Sequence, residues 1–340
     1  MSEPSDIVAP DMWPGGAAYP YHLHPDELRL VVESVADENL TVRRIVLAAP
    51  DGCALPAPEP GAHLRVHLPG DYDDRHYSLV VLPQFEGRYT LGVRLDEHSR
   101  GGSRFMHNLM PGDRVWVSHP RQSFALHDLA DETPTLLVAG GIGITPLASM
   151  AAALAEADRP FALHYAARHE GAFAFRAELE ALCGRRLHLH RDDAARLDLA
   201  AVVGAADPAG HLYVCGPAPM IEAAREAARA AGFRDERVRF ELFAAPASER
   251  EDKPFEIELA STGDVLAVPA DRSALAVLRE AGLAPDFDCE RGGCGMCRVG
   301  VLAGEPDHRD VILSARERAA NDAMQVCVSR ALTPRLVLDL

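Results

Sequence analysis

The sequence predicts three successive domains: an antiparallel β-barrel, an α/β domain built on a parallel sheet, and a small α+β domain. Three observations carry that prediction. Up to about residue 125, alternating segments such as "HLRVHLPG", "HYSLVVLP", "GRYTLGVRL" and "DRVWVSHP" are separated by Pro and Gly turns, the rhythm of a small barrel. From residue 134 apolar strands alternate with helical segments, which implies parallel βαβ units with right-handed crossovers. Near the end, "DFDCERGGCGMCRVG" places Cys289, Cys294 and Cys297 within nine positions of a chain that has seven cysteines.

Taken in order, residues 1–25 hold five prolines and no periodic apolar pattern, and read as a tail. The barrel is expected over 26–128 and the α/β domain over 129–243. In the latter, "TPTLLVAGG", "PFALHYAAR", "RLHLHRDD" and "HLYVCGP" read as strands, and "PLASMAAALAEA", "AFRAELEALC" and "APMIEAAREAARAAG" as helices. Charged and Pro-containing, 244–253 reads as a linker. Residues 254–340 open with the strands "FEIELAS" and "DVLAVPA" and the helix "SALAVLREAG" before the cysteine loop.

Asp and Glu outnumber Lys and Arg 51 to 34, so the formal charge is −17 and a nucleic-acid partner is not expected. No apolar run approaches the roughly 18 residues of a membrane span, and "MSEPSDIVAP" lacks a signal peptide's basic start and apolar core. The chain is therefore expected to be cytoplasmic, without membrane contact, and a monomer. In a reducing compartment, clustered cysteines are metal ligands or redox groups before they are disulfides.

The cysteine loop reads Cys-x4-Cys-x2-Cys, followed after 29 residues by Cys327, the plant-type spacing for a [2Fe–2S] cluster. Cys289, Cys294, Cys297 and Cys327 are the expected ligands. Gly292, Gly293 and Gly295 allow the backbone to aim N–H groups at anionic sulfurs, and a side chain at Gly295 is expected to crowd the cluster. The alternative is zinc, whose sites come as paired knuckles; here the fourth thiol is solitary and the first spacing is four. Cys53, Cys183 and Cys215 are isolated and expected to be buried apolar residues.

In "LLVAGGIGITPLASM", Gly140, Gly141 and Gly143 lie between a strand and a helix, with Thr145-Pro146 in place of a third fingerprint glycine and Pro146 expected at the first helical position. Such a turn suits a pyrophosphate, but it also occurs merely for close packing. Where an acidic residue would hold a ribose hydroxyl, the chain has Arg168, which suits a 2′-phosphate, so NADH and NADPH both stay open. Upstream, "DDRHYSLV" puts Arg75, Tyr77 and Ser78 on one strand, and "SRGGSRFMHN" puts Arg100 beside Gly101, Gly102 and Ser103. A cation next to consecutive small residues is the makings of an anion nest; an ordinary barrel strand and an ordinary turn are the plain alternatives.

These motifs, in this order, make the chain from about residue 28 to its end resemble the phthalate dioxygenase reductase family: an FMN-binding barrel, an NAD-binding domain like that of ferredoxin-NADP reductase, and a C-terminal plant-type ferredoxin domain of β-grasp fold. The resemblance implies that Arg75 faces the FMN phosphate, with His76 beside it, Tyr77 against the isoalloxazine and Ser78 near flavin N5. Gly92, Val93 and Arg94 of "LGVRL" would run along the flavin edge. "SRGGS" resembles the phosphate loop of members that bind no adenine half, so FMN is implied rather than FAD. "GGIGITP" is similar to the pyrophosphate loop, and "YVCGPAPM" to the nicotinamide motif with Cys215, Gly216, Pro217 and Met220. Phe243 of "FELF" is the implied aromatic cover of the flavin. NADH is the family's usual donor, with NADPH still open because of Arg168.

A flavin is the converter between a two-electron hydride donor and a one-electron cluster. The expected function is therefore the reductase component of a multicomponent oxygenase, passing electrons from NADH through FMN and [2Fe–2S] to a Rieske-type non-haem iron oxygenase. A cytochrome P450 acceptor is the first alternative, and a flavin and iron–sulfur sensing module the second. Residues 254–340 carry 14 acidic and 9 basic side chains, a balance that would steer this end toward a basic acceptor surface. Arg291 and Met296, between the ligands, are expected on the face the acceptor touches.

Overall fold

The computed structural model describes residues 27–68, 74–97, 99, 101–243, 250–283 and 285–340. The expected tail, residues 244–249 of the expected linker and Arg100 lie outside them. The chain divides into two compact units, 1–239 and 240–340.

The first unit begins with six strands, β1 (Glu27–Asp37), β2 (Val42–Ala48), β3 (His63–Val66), β4 (Arg75–Ser78), β5 (Tyr89–Arg94) and β6 (Arg114–Ser118), with a short helix, α1 (Gly102–Asn108), between the last two. They form one antiparallel sheet in the order β4-β3-β6-β1-β2-β5. A Leu79–Leu91 bridge and a 2.8 Å bond from Val80 N–H to the Thr90 carbonyl join the two ends, so the sheet curls nearly into a closed barrel. Strand alternation turns Leu30, Val32, Ile45, Leu47, Leu64, Val66, Leu91 and Val117 into one buried core.

The same unit continues with β7 (Thr135–Gly140), α2 (Ile144–Glu156), β8 (Phe161–Ala167), α3 (Arg176–Cys183), β9 (Leu187–Arg191), α4 (Leu199–Gly204), β10 (His211–Cys215), α5 (Ala218–Ala231) and β11 (Val238–Glu241), within which the unit boundary falls. Strand order is β11-β10-β7-β8-β9, and the β10–β7, β7–β8 and β8–β9 pairs are parallel. The run of Ala, Leu and Met in α2 is buried almost all round because the helix serves two neighbours. One is its own sheet; the other is the barrel. The Ser149 hydroxyl donates to the Leu79 carbonyl at 2.7 Å and accepts from Val81 N–H at 2.8 Å, tying α2 to the barrel.

The second unit holds β12 (Phe255–Leu259), β13 (Val265–Val268), α6 (Ala274–Glu280), β14 (Arg298–Ala303), β15 (Pro306–Asp307), α7 (Ala315–Ala320), β16 (Ala323–Gln325), β17 (Arg330–Ala331) and β18 (Arg335–Leu338). Its main sheet runs β13-β12-β18-β14-β16, mixed, with β12 and β18 parallel. Ile257, Val268, Leu275, Leu278, Met324 and Leu336 fill its core. Ser273 caps α6, and a reciprocal Ser314–Glu317 capping box starts α7. Residues 250–253, expected as the end of the linker, are bonded into this unit: Arg250 pairs with Asp307 at 2.6 Å, Asp252 with Arg309, and the Lys253 carbonyl accepts from Arg330 at 3.0 Å. Among the described residues, no helix is long and apolar enough to cross a membrane.

Candidate functional site

The barrel brings together β4 and α1, whose first residues are Arg75 and Gly102. β4 is held by β3 in the register Ser78 to His63 and Arg75 to Val66, and α1 starts beside it. A Cβ added to Gly102 would lie 2.7 Å from Arg75 Cγ and 2.8 Å from Nε, so the Arg75 side chain lies directly over the first turn of α1. Gly101, with φ of 106°, makes the entry to that turn. The Ser103 hydroxyl accepts from Asp96 N–H at 3.1 Å, fixing the loop before it. The result is a cation, Arg75, over a turn of N–H groups; Arg100, also expected here, lies outside the described residues.

Ser78 is buried, Tyr77 packs half-buried against the barrel core, and the His76 ring stacks on His63 at 5.1 Å. Gly92 has another reason to be small: a Cβ there would meet Phe175 at 2.8 Å and the Thr145 methyl at 2.9 Å. Val93 points into the barrel core, leaving only its backbone for a ligand, and Arg94 is exposed at the strand end.

Both motifs of the α/β domain converge in the same way. β10 lies beside β7 with Cys215 opposite Ala139, so the turn after β7 touches the segment after β10. A Cβ on Gly143 would lie 2.1 Å from the Cys215 carbonyl oxygen, and one on Gly140 would lie 2.6 Å from Met220 Sδ and 2.9 Å from Pro217 Cδ. Gly141 alone of the three has positive φ, 54°. Close packing thus accounts for Gly140 and Gly143, and backbone conformation for Gly141. Pro146 is the third residue of α2 rather than the first, a position whose N–H also lacks an intrahelical partner. Thr145 is buried, its hydroxyl donating to the Ile142 carbonyl at 3.0 Å. Arg168 follows β8 and is exposed. Phe243 is half-buried and belongs to the second unit.

In the second unit the four expected ligand thiols form two hydrogen-bonded pairs. A bond from the Cys294 thiol, aided by N–H groups of Arg291, Gly293 and Cys294 against the cost of burial, pulls Cys289 down to about 5. Cys294 is pushed up by the same bond. Cys297 is lowered by its bond with Cys327, whose own thiol is raised by it. Four sulfurs are thus gathered where backbone N–H groups favour thiolate, the donor set of a [2Fe–2S] centre. Gly292 and Gly295 both have positive φ, 72° and 79°. Against the protein itself, a Cβ on Gly292 would meet Val328 at 2.6 Å, whereas at Gly295 the nearest protein atom is an ordinary 3.5 Å away and the positive φ is what favours glycine. Of the other cysteines, Cys183 and Cys215 are buried as expected, but Cys53 is exposed. It follows the turn at Gly52, whose φ is 73°.

Two family models match the chain: a 2Fe-2S iron-sulfur cluster binding domain over residues 257–332 and an oxidoreductase NAD-binding domain over 137–226. The vanillate O-demethylase oxidoreductase of Pseudomonas sp. (strain HR199 / DSM 7063) is 44% identical over 297 residues, 85% of this chain and 92% of that protein. A solved phthalate dioxygenase reductase, a modular structure for electron transfer from pyridine nucleotides to [2Fe–2S], matches with a TM-score of 0.72 at 37% identity, covering 92% of this chain and 98% of the other. The chain belongs to the phthalate dioxygenase reductase family. As a member of that family it is an NAD(P)H-dependent flavin and iron–sulfur oxidoreductase, the reductase component of an oxygenase system, with FMN, NADH and a [2Fe–2S] cluster as cofactors. Full-length CYP116B46 from Tepidiphilus thermophilus also matches, with a TM-score of 0.73 at 36% identity; there 92% of this chain corresponds to 42% of that longer one.

Sequence reasoning missed Phe175. It is fully buried at a left-handed φ of 55°, its N–H donates to Glu38 at 2.7 Å, and its ring packs on Gly92. Burial raises the Glu38 carboxyl, against the Phe175 N–H and the Arg44 cation that lower it. An aromatic at positive φ is strained, and here the strain sits where the α/β domain meets the barrel. The signal in sequence was only a second Phe in "AFAFRAE".

Proposed function

We propose that this reductase passes electrons from NADH to a Rieske-type non-haem iron oxygenase in the cytoplasm, acting as a monomer. The observation that carries the reading is the thiol loop: four cysteines gathered around N–H donors, with Met296, 47% exposed, between two of them. That is a redox centre with an apolar contact at its edge. When bound, FMN would supply the conversion between the hydride pair of NADH and single electrons, and the cluster a one-electron centre.

The residues supply binding and position. Arg75 and the N–H groups of Gly101, Gly102 and Ser103 would hold the FMN phosphate, and Ser78 and Tyr77 would meet the flavin. Gly140, Gly141 and Gly143 carry the pyrophosphate of the nucleotide, and Cys215, Gly216, Pro217 and Met220 line the nicotinamide end. Arg168, exposed after β8, meets the ribose side. Cys289, Cys294, Cys297 and Cys327 hold iron.

The relatives' names support an oxygenase acceptor: an O-demethylase in one case and a phthalate dioxygenase in the other, each matched over more than nine-tenths of its length. The likeness to CYP116B46 favours a second reading, in which the same chain serves a cytochrome P450. Stopped-flow mixing of the NADH-reduced protein with a purified Rieske oxygenase and with a P450, at matched concentrations, separates them. Faster transfer to the Rieske centre is expected; exclusive transfer to haem overturns the proposal.

A further inference from the structure

Gln325 is a polar side chain inside an apolar core. It ends β16, pairs with Arg298 of β14, and is 1% exposed between Met324 and Val326, both fully buried. Its main-chain carbonyl is already used, accepting from Ser329 N–H at 3.0 Å. Its side-chain oxygen lies 3.5 Å from Cys297 Sγ, and its side-chain nitrogen is buried with no hydrogen-bond partner. A leucine would fill this space without stranding a donor, so the amide needs an acceptor that the thiol form of the loop does not offer.

We infer that Gln325 is a positioning residue for the cluster, donating its side-chain N–H to the sulfur of Cys297 and setting the ease with which the cluster takes an electron. The inference rests on the reading that Cys297 is a ligand. A cysteine binds iron as thiolate and has no proton to give, so the amide oxygen at 3.5 Å would then face a negative sulfur. Turning the amide by half a rotation about its last bond exchanges oxygen and nitrogen and moves nothing else. The stranded donor then points at the anion, and the oxygen takes the place where an unpaired group costs less. Hydrogen bonds to cluster sulfurs stabilise the added electron and raise the potential. Cys297 is 3% exposed, so water does not screen the effect.

The test is a redox titration of the intact holoprotein with Gln325→Leu. The variant is expected to keep full iron and sulfide content, while at a fixed potential its ratio of reduced to oxidised cluster falls roughly three- to tenfold, about 28 to 59 mV for a one-electron couple. A second readout needs no variant. The chain has three glutamines, Gln84, Gln122 and Gln325, so labelling their side-chain amides with nitrogen-15 and recording the hyperfine spectrum of the reduced cluster should show a coupling that Gln325→Leu abolishes. A full cluster at unchanged potential, or no nitrogen-15 coupling in the wild type, overturns the inference. If Gln325→Leu fails to fold, the wild-type spectrum decides alone. Cys297→Ser separates the two levels: a wild-type cluster spectrum in that variant overturns the ligand reading, and this inference with it.

Discussion

Replacing Gly102 by Ala separates ligand binding from folding at one atom. Gly102 is the first residue of α1 and is not at positive φ, so Ala suits the backbone. In a helix interior the exchange favours folding by about 1 kcal/mol, and at the first turn by less. The added methyl would lie 2.7, 2.8 and 3.1 Å from Arg75 Cγ, Nε and Cδ, so the arginine must swing away. A flexible side chain can do that at small cost to the fold, but the cation then leaves the N–H turn. Losing a hydrogen bond to a charged group costs about 1.5–3 kcal/mol, which is roughly 10- to 150-fold in FMN affinity. The assay is fluorescence titration of deflavinated protein with FMN, beside a thermal melt of the same sample. Weakened FMN with an unchanged or slightly higher melting temperature is expected. Wild-type FMN affinity in Gly102→Ala, with Arg75→Ala defective, refutes the steric reasoning; wild-type affinity in both refutes the anion site.

Gly143→Ala sets a Cβ against backbone, 2.1 Å from the Cys215 oxygen, where no rotamer relieves it. NADH-dependent flavin reduction, followed by stopped flow, should slow by roughly tenfold or more while cluster content holds; an unchanged rate would show that the turn plays no part in placing the nicotinamide. Arg291→Glu should slow transfer to the oxygenase several-fold and leave NADH-to-ferricyanide activity intact, and an equal loss in both would exclude a docking role. Acid should destabilise the first unit through His127, which burial and then the neighbouring His211 push down to about 4, in the company of Asp131, Arg237, Arg239 and Tyr213. With a folded value below the free value of 6.5, the unfolded chain takes the proton first, so stability present above about pH 6.5 is lost as pH falls toward 4. His127→Asn should flatten that slope in thermal melts between pH 7.5 and 5, and an unchanged slope would count against it.

What could be read from the sequence was local. "RHYS" announced a strand by alternation, "GGIGITP" a strand-to-helix turn by its glycines, and the cysteine loop its chemistry by spacing alone. What could not be read was which local pieces meet. Arg75 reaches Gly102 only because β4 closes the barrel beside α1, and Gly143 reaches Cys215 only because β10 lies next to β7, an adjacency fixed by the crossover and not by chain order. For the same reason the tight packing at Gly292 could not be read: its neighbour Val328 comes from a segment 36 positions on. Phe175 was illegible because its conformation is imposed from outside, by Glu38 on its N–H and Gly92 against its ring. The helix α4 escaped notice because it has only six residues, with a single Asp198 cap to mark it.

The most direct measurement is an anaerobic titration of the purified protein with NADH, following flavin and iron–sulfur absorbance together, and repeated with NADPH. One internal electron chain predicts that NADH bleaches both chromophores, with three electrons taken up per protein in total, two by flavin and one by the cluster. A protein in which NADH bleaches the flavin while the cluster stays oxidised, or in which either chromophore is missing, would contradict it.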